Sequence, residues 1–182
     1  MRLFIAVDIP INQKIIDLIE QINQSGADVK SVELENLHLT LLFIGEKREN
    51  ELEGIEQSMN KVRFNEINAL AQGIGFFPNE ERPRVMWIGI RDQGEFRKVR
   101  EQLVKELRMR KIYFEDRNEF SPHLTLCRIR SGRGVDKLRE IGKSKKDEVF
   151  EDFKVKEVKL FKSTLTPKGP IYEQLYSIRS EG

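Results

Sequence analysis

The chain has 182 residues, enough for one domain or for two small lobes that share a core. Hydrophobic residues make up 38% and charged residues 34%, a balance that excludes an unstructured polyelectrolyte. Against 32 basic side chains stand 30 acidic ones, and the net charge of +2 excludes a protein that coats nucleic acid through a broad basic stripe, though not a site that grips one or two phosphates.

Residues 2–9 (RLFIAVDI) predict a strand closed by Pro10. Its apolar run ends at Asp8, too early for a signal peptide, and no later run approaches the ~20 residues of a membrane span. The chain is therefore expected to be cytoplasmic, with no membrane partner. Residues 11–24 place Ile11, Ile15, Ile16, Leu18, Ile19 and Ile22 near helical spacing, and Ser25-Gly26 ends that helix. A polar stretch leads to the buried strand 37–44 (LHLTLLFI), stopped by Gly45. Helical periodicity returns over 49–63, and 67–77 (INALAQGIGFF) is extended and interrupted by glycines.

The order then restarts. A strand is predicted at 85–90 (VMWIGI), then a helix over 95–110 with Phe96, Val99, Leu103 and Leu107 on one side. Next come a strand at 123–130 (HLTLCRIR), a helix near 135–143, and strands at 153–161 (FKVKEVKLF) and 171–178 (IYEQLYSI). Even the flanks echo each other: Phe76-Phe77-Pro78 before one late strand resembles Leu160-Phe161-Lys162 before another. A β-α-β-α-β unit used twice predicts an α+β fold of two pseudo-symmetric lobes, each a largely antiparallel sheet with outer helices, and a groove where the copies meet. Residues 1–182 are taken as a single bilobal domain.

The chain holds two histidines, His38 and His123, and each opens the same tetrapeptide, His-Leu-Thr-Leu. Strand alternation puts His38 and Thr40 on one face and His123 and Thr125 on another, roughly 7 Å apart in each pair, while the leucines turn to the core. A lone histidine on an apolar strand is most often a satisfied core residue. That reading does not account for two copies at equivalent places. Two imidazoles with flanking hydroxyls suit in-line displacement at phosphorus, where water loses a proton on one side and the leaving oxygen gains one on the other. An imidazole, which ordinarily titrates near ~6.5, can take either part, and the residues alone do not say which histidine takes which. Threonine hydroxyls can hold the non-bridging oxygens, and an arginine can offset the growing charge. No metal and no cofactor is expected.

The segments HLTLLFIGE and FSPHLTLCRIR, with the opening RLFIAVDIP, closely resemble the two-histidine phosphoesterase superfamily, in particular its RNA 2′,3′-cyclic phosphodiesterase branch, also called the LigT or 2′-5′ RNA ligase family. The resemblance implies hydrolysis of an RNA terminal 2′,3′-cyclic phosphate to a 2′-phosphate, with reverse ligation as a side activity. It implies His38 as proton donor to the 3′ oxygen and His123 as proton acceptor from water, with Thr40 and Thr125 as the motif threonines. Arg128 matches the arginine that trails the second motif. Five residues after His123, it would point to the opposite face of an ideal strand, so a bulge or bend is needed to bring it to the phosphate. The partners implied are RNA ends with a cyclic phosphate, including tRNA fragments, bound by a monomer. Action on small cyclic nucleotides and non-catalytic RNA-end binding are the alternatives.

Other signals are set aside or left secondary. Cys127, the only cysteine, would share a face with His123 in an unbroken strand, but some 13 Å of strand separates them, so it reads as a packed small residue in a reducing compartment. Gly142-Lys143-Ser144 mimics the tail of a phosphate loop whose first glycine is missing. The basic residues of 128–146 read equally as a solvated face or as a track for an RNA backbone. Phe43, Phe76, Phe77, Trp87 and Phe120 are mostly core candidates; any of them at the groove edge could stack on a terminal base, and Phe120, beside the second motif, is the first candidate for it. The abundance of Glu, Lys and Arg resembles that of proteins from hot environments.

Overall fold

A computed structural model describes residues 1–116 and 119–182. The strands are β1 (Arg2–Asp8), β2 (Val29–Ser31), β3 (His38–Glu46), β4 (Ile67–Phe77), β5 (Val85–Arg91), β6 (His123–Ile129), β7 (Val149–Val155), β8 (Glu157–Thr166) and β9 (Gly169–Arg179). The helices are α1 (Gln13–Asn23), α2 (Leu52–Asn60), α3 (Glu95–Met109) and α4 (Val135–Ser144). Two antiparallel sheets result, one ordered β3-β1-β8-β9 and the other β2-β6-β5-β4-β7. No described helix is long and apolar enough to cross a membrane.

The fold is α+β as the pattern predicts, but the lobes are not the two halves of the chain. The first half contributes β4 and the short β2 to the sheet that holds His123, and the last two strands complete the sheet that holds His38. The expected strand 153–161 is in fact two. It breaks at Lys156, where the chain leaves β7 at the edge of one sheet for β8 inside the other. Alternating burial continues on both sides of the break, so periodicity alone does not reveal it.

Local chemistry explains the boundaries. Asn12 is extended, and its side chain accepts a hydrogen bond from the Ile15 N–H at 3.1 Å, so α1 starts at Gln13 rather than at Ile11. At α3 the N-cap is Gly94, in the left-handed region, and Asp92 two residues earlier accepts from the Phe96 N–H at 2.8 Å. α3 buries Phe96, Val99, Leu103 and Leu107, the stripe its sequence predicts, while α1 buries Ile15, Leu18, Ile19 and Ile22 and leaves the expected Ile11, outside the helix, and Ile16 only partly covered. β1 is a continuous apolar run because both of its faces are covered. Leu3, Ile5 and Val7 enter the main core, while Phe4 and Ala6 join Phe161 in a smaller cluster on the opposite face. Each large side chain so buried contributes roughly 1.5–3 kcal/mol.

Candidate active site

β3 and β6 are distorted at the same place. Along β3, Ile5 pairs with Leu42 and Ala6 with Thr40, which leaves Leu41 without a partner in β1. Along β6, Met86 pairs with Cys127 and Trp87 with Thr125, which leaves Leu126 without a partner in β5. The extra residue falls at the last leucine of each His-Leu-Thr-Leu, and it shifts the alternation by one. Two consecutive residues are therefore buried after each threonine, Leu41-Leu42 in β3 and Leu126-Cys127 in β6. Cys127 thus faces the core and does not share a face with His123, as an unbroken strand would require. The same shift turns Arg128 to the side of Thr125, where both line one cavity.

β3 and β6 pack against each other across the two sheets. The cleft there has two chambers. One, of about 380 Å³, is lined by His38, Thr40, Thr125 and Arg128, with Phe4 and Tyr172 behind them. The other, of about 510 Å³, is lined by His123 with Leu41, Phe77, Arg100 and Phe120. Thr40 borders both.

Each imidazole leans on an aromatic ring from an equivalent strand. Phe161 of β8 lies 4.6 Å from His38, and Phe77 of β4 stands edge-on 5.0 Å from His123. These are the two phenylalanines of the echoing flanks. Trp87 also lies against His123, at 6.0 Å, and its ring covers Gly75, where a Cβ would fall 2.2 Å from two ring carbons. Phe120 is half-buried, with Arg97 and Arg100 stacked on it at 5.8 and 5.5 Å, and it walls the His123 chamber.

The polar surroundings of the two histidines differ. His38 Nε2 lies 3.0 Å from Asp8 Oδ1, and Asp8 Oδ2 accepts from Lys159 Nζ at 2.5 Å. The hydrogen bond from His38 holds the Asp8 carboxyl at about 2, below its ordinary 3.8; partial burial opposes this and Lys159 adds to it. His38 Nδ1 is buried without a hydrogen-bond partner among the described residues. His123 has no carboxylate in the corresponding place. Gly89 stands opposite it in the ladder, as Asp8 stands opposite His38. Its Nδ1 lies instead 2.7 Å from the Ser121 carbonyl oxygen. Because a carbonyl only accepts, that contact puts a proton on Nδ1 and leaves Nε2 as the variable site. His38 Nε2, facing a carboxylate, is the nitrogen that carries a proton there. Burial pushes the Tyr172 hydroxyl up, against the opposing pull of Arg128 and Arg2.

The residues named from the motifs thus line one two-chambered cleft. Asp8, Lys159, Phe161 and Tyr172 are the additions that sequence reasoning missed. Asp8 ends its strand as the only carboxylate in an apolar run, but which residue it faces depends on the β1–β3 register.

A duplicated α+β fold that presents one His-x-Thr from each copy to a shared cleft is that of a phosphoesterase. The LigT-like phosphoesterase model matches the chain twice, over residues 5–87 and again over 88–172, and the chain belongs to that family. Among its relatives, the RNA 2′,3′-cyclic phosphodiesterase of Archaeoglobus fulgidus is 37% identical over 96% of this chain and 98% of its own. The protein of the same name from Methanocaldococcus jannaschii is 38% identical over 95% of this chain and 97% of its own. A crystal structure of a Thermus thermophilus protein superposes with a TM-score of 0.78 over 100% of both chains, at 30% identity. The crystal structure of Escherichia coli LigT with 3′-AMP shares the fold, with a TM-score of 0.76 at 22% identity, over 100% of this chain and 98% of its own.

Proposed function

We propose that residues 1–182 act as one bilobal enzyme that hydrolyses RNA terminal 2′,3′-cyclic phosphates to 2′-phosphomonoesters, without a metal, by acid–base catalysis at His38 and His123. The observation that carries this reading is the unequal surroundings of the two imidazoles at equivalent bulges. His123, with Nδ1–H engaged by the Ser121 carbonyl, presents Nε2 as a proton acceptor. His38, with Nε2 toward the Asp8 carboxylate, presents a proton donor.

In the step proposed, His123 Nε2 takes a proton from water as its oxygen attacks phosphorus. The P–O3′ bond breaks on the opposite side, and O3′ takes the Nε2 proton of the protonated His38 imidazolium, which is left as the neutral imidazole. Exchange with solvent resets both imidazoles. Thr40 and Thr125 donate to the non-bridging oxygens, and Arg128 offsets the charge that builds on them. With a 5′-hydroxyl in the water's place, the same bond changes form a 2′-5′ linkage, which is the ligase side reaction. The enzyme acts as a cytoplasmic monomer on RNA ends such as tRNA fragments.

The test is chromatographic identification of the product from a cyclic-phosphate-ended oligonucleotide in EDTA. A 2′-phosphate is expected. A 3′-phosphate would mean that the other ester bond breaks, and no product in EDTA would mean that a metal is needed.

A further inference from the structure

We propose that the RNA strand enters through the chamber on the His38 side, and that Lys30 and Lys168 bind the phosphates upstream of the reacting one. This rests on the function proposed above and adds the direction from which the substrate comes.

In an in-line displacement the attacking water and the leaving oxygen lie on opposite sides of phosphorus. O3′ belongs to the terminal ribose, so the ribose, its base and the rest of the strand lie on the side of the acid. Water lies on the side of the base. His38 and His123 line different chambers, so the chemistry assigns the strand to one of them.

The charges of the two chambers fit that assignment. Lys30, Arg128 and Lys168 line the His38 chamber, with Glu33 as its one carboxylate among the described residues. None of these three cations has a salt-bridge partner among the described residues. In the His123 chamber, Arg100 is engaged by Asp116 and by the Leu41 carbonyl, and Glu119 adds a second acid. Uncompensated positive charge therefore sits on the side where the strand must lie.

β2 is only three residues long, and it pairs Lys30 directly with Arg128 across the ladder. Side chains so paired share a face with Cβ atoms ~4.5–5.5 Å apart, and like charges there repel. An anion bound between them turns that repulsion into attraction. One cyclic phosphate needs only Arg128, whereas a strand brings further phosphates for Lys30 and for Lys168 at the tip of the β8–β9 hairpin. Leu165, 71% exposed on that hairpin, and Val32, which lines the same chamber, supply apolar surface for a base.

The experiment compares an oligonucleotide ending in a 2′,3′-cyclic phosphate with a nucleoside 2′,3′-cyclic monophosphate, using wild type, Lys30→Ala and Lys168→Ala over a range of salt. Each substitution is expected to lower the ratio of kcat/KM, oligonucleotide over mononucleotide, at least tenfold. The change should appear mainly in KM, and the salt slope of the oligonucleotide reaction should fall by about one per lysine. Lys30→Ala should not lower the thermal midpoint, because it removes a like-charge pair. An unchanged ratio in both variants would overturn the proposed path, as would equal losses on both substrates. Failure of the wild type to turn over either substrate would overturn the functional reading itself.

Discussion

Gly75 leaves room for the indole of Trp87, and a single methyl group there tests whether that packing positions His123. In Gly75→Ala the new Cβ would fall 2.2 Å from two ring carbons of Trp87 and 2.7 Å from a third. Ordinary contact begins near 3.4 Å, so the ring must move by more than 1 Å. It has little freedom, since it packs on Phe77 at 4.9 Å and on His123 at 6.0 Å. Overpacking of this kind costs about 1–3 kcal/mol. For a chain of this size each kcal/mol lowers Tm by about 2–4 °C, so a fall of about 2–12 °C is expected. If the displacement passes to His123, a misplacement of ~1 Å is enough to cost ~100-fold in kcat. Trp87 is the only tryptophan, so its emission reports the movement directly alongside melting and turnover. Trp87→Phe removes the outer ring carbons that collide with the methyl, and in the Gly75→Ala background it should restore a large part of the lost stability. Unchanged Tm and emission in Gly75→Ala would show that the methyl and the indole do not collide, as would a double variant no better than the sum of the singles.

Three further outcomes follow from the site. Arg128→Ala should lower kcat by ~100–1000-fold, the range for loss of one charge-stabilising donor, and Arg128→Lys should recover only part, since an ammonium lacks the planar fork; near-normal turnover in Arg128→Ala, measured at saturating substrate, would place Arg128 outside the reaction. Asp8 titrates at about 2 in the fold against an ordinary 3.8, so its contribution to stability is complete above about pH 4 and is lost as pH falls through 2. Denaturation curves between pH 2 and 5 should therefore show a shallower acid limb for Asp8→Asn than for wild type. The Cys127 thiol is fully buried, and burial pushes it up to about 11, so iodoacetamide at pH 8 should label the unfolded chain and not the native one; rapid labelling of the native protein would contradict that packing.

Much of this was legible in the sequence because alternation and repetition are local properties. The two His-Leu-Thr-Leu strands, the amphipathic stripes of α1 and α3, and the echo of Phe77 in Phe161 can all be read without a structure. What escaped depends on pairing. The need for a bulge follows from counting five residues from His123 to Arg128, but its place at Leu126, and its twin at Leu41, emerge only from the ladders. β2 is too short and too polar to announce itself, yet it brings Lys30 opposite Arg128. Asp8 meets His38 through the register of β1 with β3, and Lys159 reaches Asp8 from a strand 151 residues away in sequence. The break at Lys156 hides for the same reason, since a strand can change sheets without changing its period.

If two imidazoles share one reaction without a metal, both must be needed for turnover and no chelator should matter. The deciding measurement is the rate at which wild type, His38→Ala and His123→Ala open a terminal 2′,3′-cyclic phosphate in EDTA. Full wild-type activity with a bell-shaped pH profile is expected, with a loss of several orders of magnitude in each variant. Near-wild-type turnover in either variant would contradict the shared reaction.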